Sequence, residues 1–129
     1  MANDKRLVRS GLRANIKHAE RASGAMEAMD WLESQSDSIK AGFDTLFKRM
    51  CDFGKIHNKE QFRHLKGEIW EFKKKANRIL AFCVSDTWYL THHYPKGGRR
   101  CPPKQIKRAE VIRAEFLRIL AKGNRNAAS

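Results

Sequence analysis

The spacing of apolar positions changes three times along this chain. Residues 5–21, KRLVRSGLRANIKHAER, carry no helical stripe, and the alternation Ala14, Ile16, His18 predicts an edge strand behind a loose basic arm. From Ser23 the period becomes helical. In GAMEAMDWLESQ, Ala25, Met29 and Leu32 fall on one face with Met26 and Ala28 beside it, and Ser23 or Gly24 can start the turn. Ser36 can then accept from the free amides of a second helix, with Asp37 beside its positive end. Ile39, Phe43, Leu46, Met50 and Phe53 follow at helical spacing, and Gly54 supplies a stop. The expected unit is a helical hairpin with a short joint.

Residues 55–67 read as a polar connection anchored by Phe62 and Leu65. Three strands are predicted next, EIWEFKKK (68–75), RILAFCV (78–84) and TWYLTHHY (87–94), with turns at Asn77 and at Ser85-Asp86. Joints this short make antiparallel neighbours, and the middle run is apolar enough for a central strand covered on both faces. Pro102-Pro103 then opens a helix, because proline at a first helical position loses no internal hydrogen bond. Ile106, Ala109, Ile112, Phe116 and Leu120 make its inward stripe, and Gly123 is its expected end. The predicted fold class is α+β in the order β-α-α-β-β-β-α, an antiparallel sheet packed by an N-terminal helical hairpin and a C-terminal helix. The boundaries expected are a basic arm with an edge strand over 1–22, a single domain over 23–122, and a flexible tail over 123–129.

Composition adds partners to this picture. The 129 residues suit one domain, and no run approaches the roughly eighteen apolar residues of a membrane helix. The start MANDKRLVRS lacks the apolar core of a secretory signal, so the expected address is the cytoplasm. Cys51, Cys83 and Cys101 are an odd number at wide spacing, which argues against a disulfide framework and fits a reducing compartment. With neither CxxC nor HxxxH, no metal site and no cofactor are expected. The net charge of +13 is uneven: +4 over residues 1–21, −3 over 22–54 and +12 over 55–129. A charge of that size draws nucleic acid or an acidic protein, or serves solubility alone.

The signs "GEIWEFK", "NRILAF" and "YLTHHYPKGGRRCPPKQIKRA", in that order, resemble the RelE/ParE toxin superfamily and within it the phage-derived, HigB-like branch. That branch pairs a glutamate, an aliphatic and an arginine on one strand, where Glu71, Phe72 and Lys73 stand here. Arg78, Ile79 and Leu80 match its next strand, and Leu90 to Tyr94 cover a Leu-His-Gly-Phe sign with His93 at the glycine. Lys96 matches the first of a lysine pair; Gly97 replaces the second, and Cys101 stands where threonine is usual. The resemblance spans roughly residues 24–120.

It implies a toxin of a type II toxin–antitoxin system, a ribosome-dependent mRNA endoribonuclease needing no metal, with a cognate helix-turn-helix antitoxin, the ribosome and mRNA as partners. Such cleavage requires a proton acceptor for the ribose 2′-oxygen, cations for the charge that grows on the phosphate, and a donor for the leaving 5′-oxygen. Arg78 and Lys96 are expected to stabilise that charge with Lys73 in support, and His92 is the matched proton carrier. His92 and His93 are strand neighbours, so only one can face a given side. Either can equally be a satisfied structural histidine. Tyr94 stands where phenylalanine is usual, which favours packing.

The loop Lys96-Gly97-Gly98-Arg99-Arg100 reads as a phosphate seat at a helix start, or equally as a flexible charged connection. Arg99, Arg100, Lys104, Lys107 and Arg108 form the expected RNA-binding footprint, extended by Arg113 and Arg118. Two alternatives come from other classes: a ParE-like toxin that binds DNA gyrase and cuts nothing, and a phage-related nucleic-acid-binding protein with a degenerate site.

Overall fold

A computed structural model describes residues 4–128 in backbone and 4–123 in side chains, so Met1 to Asn3 of the expected arm and Ser129 of the expected tail lie outside the described residues. The element order is β1 (Leu7–Ser10), β2 (Asn15–His18), α1 (Glu27–Glu33), α2 (Asp37–Phe53), β3 (Phe62–Lys66), β4 (Ile69–Lys74), β5 (Asn77–Val84), β6 (Thr87–Pro95) and α3 (Pro103–Ala128). Six strands form one sheet in the order β1-β2-β6-β5-β4-β3. Every pair is antiparallel except β2 with β6, which run parallel. The fold class is α+β as expected, with two more strands than the sequence pattern shows.

Both extra strands sit at the rims. β1 lies where a loose arm was expected, and it makes β2 the second strand rather than the edge. β3 lies inside the segment read as a polar connection. A rim strand touches one neighbour, so few of its positions need be apolar and the period-2 signal fades. The two anchors read there hold: Phe62 packs on one side of the sheet and Leu65 on the other.

The sheet is sandwiched. One face, with Ile16, Phe72, Ile79, Ala81 and Leu90, packs on α2 through Phe43, Leu46, Phe47 and Met50. The opposite face, with Ile69, Leu80 and Phe82, packs on Ala109, Ile112 and Phe116 of α3. β5 is thus buried on both sides, as its apolar run predicts. Ser36 caps α2 by accepting from the Ile39 amide at 3.4 Å, and Gly54 ends it at a φ of 78°, a left-handed conformation that glycine adopts without strain.

Four local expectations need correction. α1 begins at Glu27, because Arg21 to Ala25 close a turn through the bonds Gly24 N–H to Arg21 O and Arg21 N–H to Ala25 O. Its buried side is Met26 and Ala28, and Ala25 is exposed. Phe53 is 68% exposed, because the last turn of α2 buries Met50 and Cys51 and leaves Phe53 on its outer side. α3 continues past Gly123 to Ala128: one interior glycine costs a helix only about 1 kcal/mol, less than its neighbours support. No helix among the described residues is long and apolar enough to cross a membrane.

Candidate functional site

Three adjacent strands put one polar row across the α3 side of the sheet. Lys73 on β4 lies opposite Arg78 on β5, and Arg78 lies opposite Tyr94 on β6. Glu71 is two residues before Lys73 and shares its side, because side chains alternate along a strand. It is fully buried, accepting from Arg63 Nη2 of β3 at 2.7 Å and from the Tyr94 hydroxyl at 3.0 Å. The Lys96 backbone amide bonds to Ala76 O at 2.7 Å, which fixes the start of the loop beside the β4–β5 turn.

This neighbourhood is short of negative charge. Burial first, and then the guanidinium groups of Arg63 and Arg78, hold Lys73 below the usual lysine range, against a smaller opposing pull from Glu71 and with a still smaller push from Lys96. One carboxylate, Glu71, thus shares this side of the sheet with Lys73 and Arg78 and is itself held by Arg63. Arg78 is 6% exposed, and its Nη1 donates to the carbonyls of Lys75 at 2.6 Å and Asn77 at 3.0 Å, so it also locks the turn. Lys73 Nζ donates to Lys59 O at 3.3 Å. Burial, with the Cys101 thiol and the Glu71 carboxylate beside it, raises the Tyr94 hydroxyl far above its ordinary value, so this phenol stays protonated.

The two histidines do face opposite sides, and a bulge decides which. In β6 the pairing steps from His93 opposite Ile79 to Leu90 opposite Ala81, leaving Thr91 and His92 against Leu80 alone. That extra residue turns His92 toward α3. His92 is 1% exposed, with Nδ1 3.1 Å from Thr91 Oγ1 and Nε2 2.9 Å from the Gln105 side chain. Burial lowers its pKa, partly offset by the Gln105 bond. His93 instead stacks on Trp31 of α1 with centroids 3.6 Å apart, bonds to Asn77 Oδ1 at 3.0 Å, and is pushed by burial down to about 4.

The expected footprint divides. Lys96, Arg99, Arg100, Lys104 and Lys107 are exposed, and no carboxylate lies within ion-pair distance of any of them among the described residues. Arg108 is tied to Glu27 of α1, which also holds Arg21 at 2.6 Å, while Arg21 holds Glu115 at 3.0 Å. That network fastens α3 to α1. Among the described residues no group of His, Cys, Asp and Glu could hold a metal ion.

Sequence reasoning left Arg63, Glu71 and Tyr94 out of the acting set. A signal existed for Glu71, a carboxylate between Trp70 and Phe72 in a strand buried on both sides. None existed for Arg63, which becomes relevant only once β3 pairs with β4.

A family model described as phage-derived protein Gp49-like matches residues 30–114, about two thirds of the chain. The chain belongs to that family. The Gp49-like match runs from α1 into α3 and so holds β3 to β6 and the whole polar row, leaving the β1–β2 hairpin outside it. No curated protein matches this Gp49-like chain.

Proposed function

We propose that this Gp49-like protein is the toxin of a type II toxin–antitoxin system, allied to the RelE/ParE superfamily and its HigB-like branch. Its proposed activity is metal-independent, ribosome-dependent cleavage of mRNA, which inhibits translation. The observation that carries this reading is the Lys73–Arg78–Tyr94 row, with the fully buried Glu71 on the same side of the sheet and the Lys96 amide held at the β4–β5 turn.

In the proposed step the ribose 2′-oxygen attacks the adjacent phosphorus, its proton passes to a base, and the 5′-oxygen departs with a proton from an acid. The products are a 2′,3′-cyclic phosphate and a 5′-hydroxyl. Arg78 and Lys96 bear the charge on the phosphorus oxygens, and fixed cations in a partly dry site stabilise it more than water does. Lys73, held below the ordinary lysine range, serves as a better proton donor than a free lysine. Glu71 is the buried acceptor nearest the row. For His92 to carry a proton, its Nε2 must exchange Gln105 for substrate. The unpaired cations from Arg99 to Lys107 suit ribosomal or messenger RNA, and a cognate helix-turn-helix antitoxin is the proposed restraint.

The commitment of Arg78 to two backbone carbonyls favours a second reading, a ParE-like gyrase-binding inhibitor or a nucleic-acid binder that cuts nothing. Primer extension on a defined mRNA in purified translation, with the native chain and Lys96→Ala, ribosomes present or omitted, separates them. Cuts requiring both ribosomes and Lys96 support the nuclease; intact mRNA from folded protein ends that reading.

A further inference from the structure

The end of β4 and its turn carry consecutive lysines, Lys73, Lys74 and Lys75, and only the first belongs to the polar row. Side chains alternate along β4, so Lys74 points to the α2 side of the sheet, where it stands opposite Asn77. Lys75 occupies the turn at a left-handed φ of 53°. There α2 and the turn enclose a hollow of about 330 Å³, walled by Ser38, Gly42, Thr45, Lys74, Lys75 and Asn77.

Gly42 shows how Lys74 is held. A glycine inside a helix costs about 1 kcal/mol relative to alanine, so its place in the second turn of α2 calls for a reason. A Cβ at that position would come within 2.9 Å of Lys74 Cε and 3.1 Å of its Cγ. The missing methyl lets the lysine stem lie along the helix and so fixes where its ammonium sits.

Asn77 adds a neutral donor. Its Oδ1 can only accept, so His93, stacked on Trp31, carries its proton on Nε2 and gives it to Asn77 at 3.0 Å. The Asn77 amide nitrogen is thereby turned away from His93, with no partner among the described residues. Neither Lys74 nor Lys75 has a carboxylate within ion-pair distance among the described residues. Asp37 and Asp44 of α2 do not line the hollow, and Asp44 is held by Arg9. Two unpaired cations and an aligned amide suit an anion with several oxygens. The hollow lies across the turn from Lys73 and Arg78, so a strand with one phosphate on the row reaches it by passing over Lys75.

We propose that this hollow is a second phosphate seat, which takes a flanking phosphodiester of the single-stranded RNA whose scissile phosphate lies on the row. Lys74 and Lys75 are its cations and Asn77 its neutral donor. The identity of this ligand rests on the RNA-cleaving reading; the path of the strand across the β4–β5 turn goes beyond it.

The test uses the full chain, ¹⁵N-labelled, and a ten-nucleotide single-stranded RNA methylated at every 2′-oxygen, which offers no proton to the cleavage step. Expected are amide shifts at Gly42, Thr45, Lys75 and Asn77 together with those of the row. Lys74→Ala should weaken binding about two- to fivefold, the worth of one exposed ion pair, and lower the salt slope by about 0.7. It should also raise KM for mRNA cleavage with kcat kept, and Lys74→Arg should restore the slope. Gly42→Ala should weaken binding by displacing the stem while the urea midpoint does not fall, because alanine returns about 1 kcal/mol to the helix. The proposal is overturned if the RNA leaves those four amides in place, if Lys74→Ala keeps the salt slope unchanged, or if a ten-residue polyglutamate moves the four amides as strongly. Shifts at the four amides alongside intact mRNA would sink the nuclease reading and leave the seat standing; ribosome-dependent cuts with the four amides unmoved would do the reverse.

Discussion

The N-terminal hairpin and the rim from Lys73 to Lys107 are both rich in cations, and the structure treats them differently. In the hairpin region Lys5 and Arg6 meet Glu20, Arg9 meets Asp44, Lys17 meets Asp4, and Arg21 meets both Glu27 and Glu115. At the rim, Lys73, Arg78, Lys96, Arg99, Arg100, Lys104 and Lys107 have no acidic partner within ion-pair distance among the described residues. Similar composition thus yields two kinds of surface. Paired cations hold elements together and present little net field, whereas unpaired cations around a concave site raise the local concentration of an anion. The lesson is to count partners before counting charges.

The strongest separation between the two regions is expected in chemistry. Lys96→Ala should lower ribosome-dependent cleavage by about 10²- to 10³-fold, the usual loss for one transition-state donor, while Arg9→Ala should leave cleavage unchanged. Equal losses in single-turnover assays would erase the distinction.

Stability should differ next. Arg63→Ala strands a fully buried Glu71 and should cost about 3 kcal/mol or more, whereas Arg9→Ala removes a half-exposed pair and should cost less than about 1 kcal/mol. Urea midpoints of the two variants would decide, and similar values would mean that the carboxylate is better hydrated than its burial implies.

A pH effect of comparable size comes from two buried histidines, His18 at the end of the hairpin and His93 on β6, rather than from either set of cations. His18, 5% exposed with Nδ1 unpartnered, and His93 are both pushed by burial from 6.5 to about 4. The unfolded chain then binds more protons than the native one between those values, so stability is full above about pH 6.5 and falls as the pH drops toward 4. His18 alone should contribute on the order of 2–3 kcal/mol to that loss. His18→Leu should flatten the urea midpoint between pH 6.5 and 4; an unchanged slope would discard the assignment.

The weakest separation concerns salt. Neutralising Arg99 and Arg100 should reduce the salt slope of single-stranded RNA binding by about 0.7 for each phosphate that no longer meets a cation. Neutralising Arg6 and Arg9 should leave it alone, and fluorescence anisotropy across a salt series reads both.

Much of the fold could be read without coordinates. The β4–β6 meander, the capped α2 and the inward stripe of α3 each depend on spacing within a single segment, and spacing survives in a sequence. The row itself is different: Lys73 and Arg78 stand on either side of a short turn in the sequence, but that they face one another, and that Tyr94 joins them, is decided by the register of β4, β5 and β6. Other features depend on which strand lies beside which. β1 and β3 are strands because a neighbour offers them hydrogen bonds, and Arg63 reaches Glu71 only through that pairing. The direction of His92 turns on one unpaired residue in β6, which alternation along the chain does not reveal. Local spacing therefore set the main elements, their sidedness and the excess of positive charge after residue 55. Which cations are held in ion pairs and which stay available was settled only when the strands and helices came together. Periodicity is a property of neighbours in sequence, whereas ion pairing and strand register arise between segments tens of residues apart.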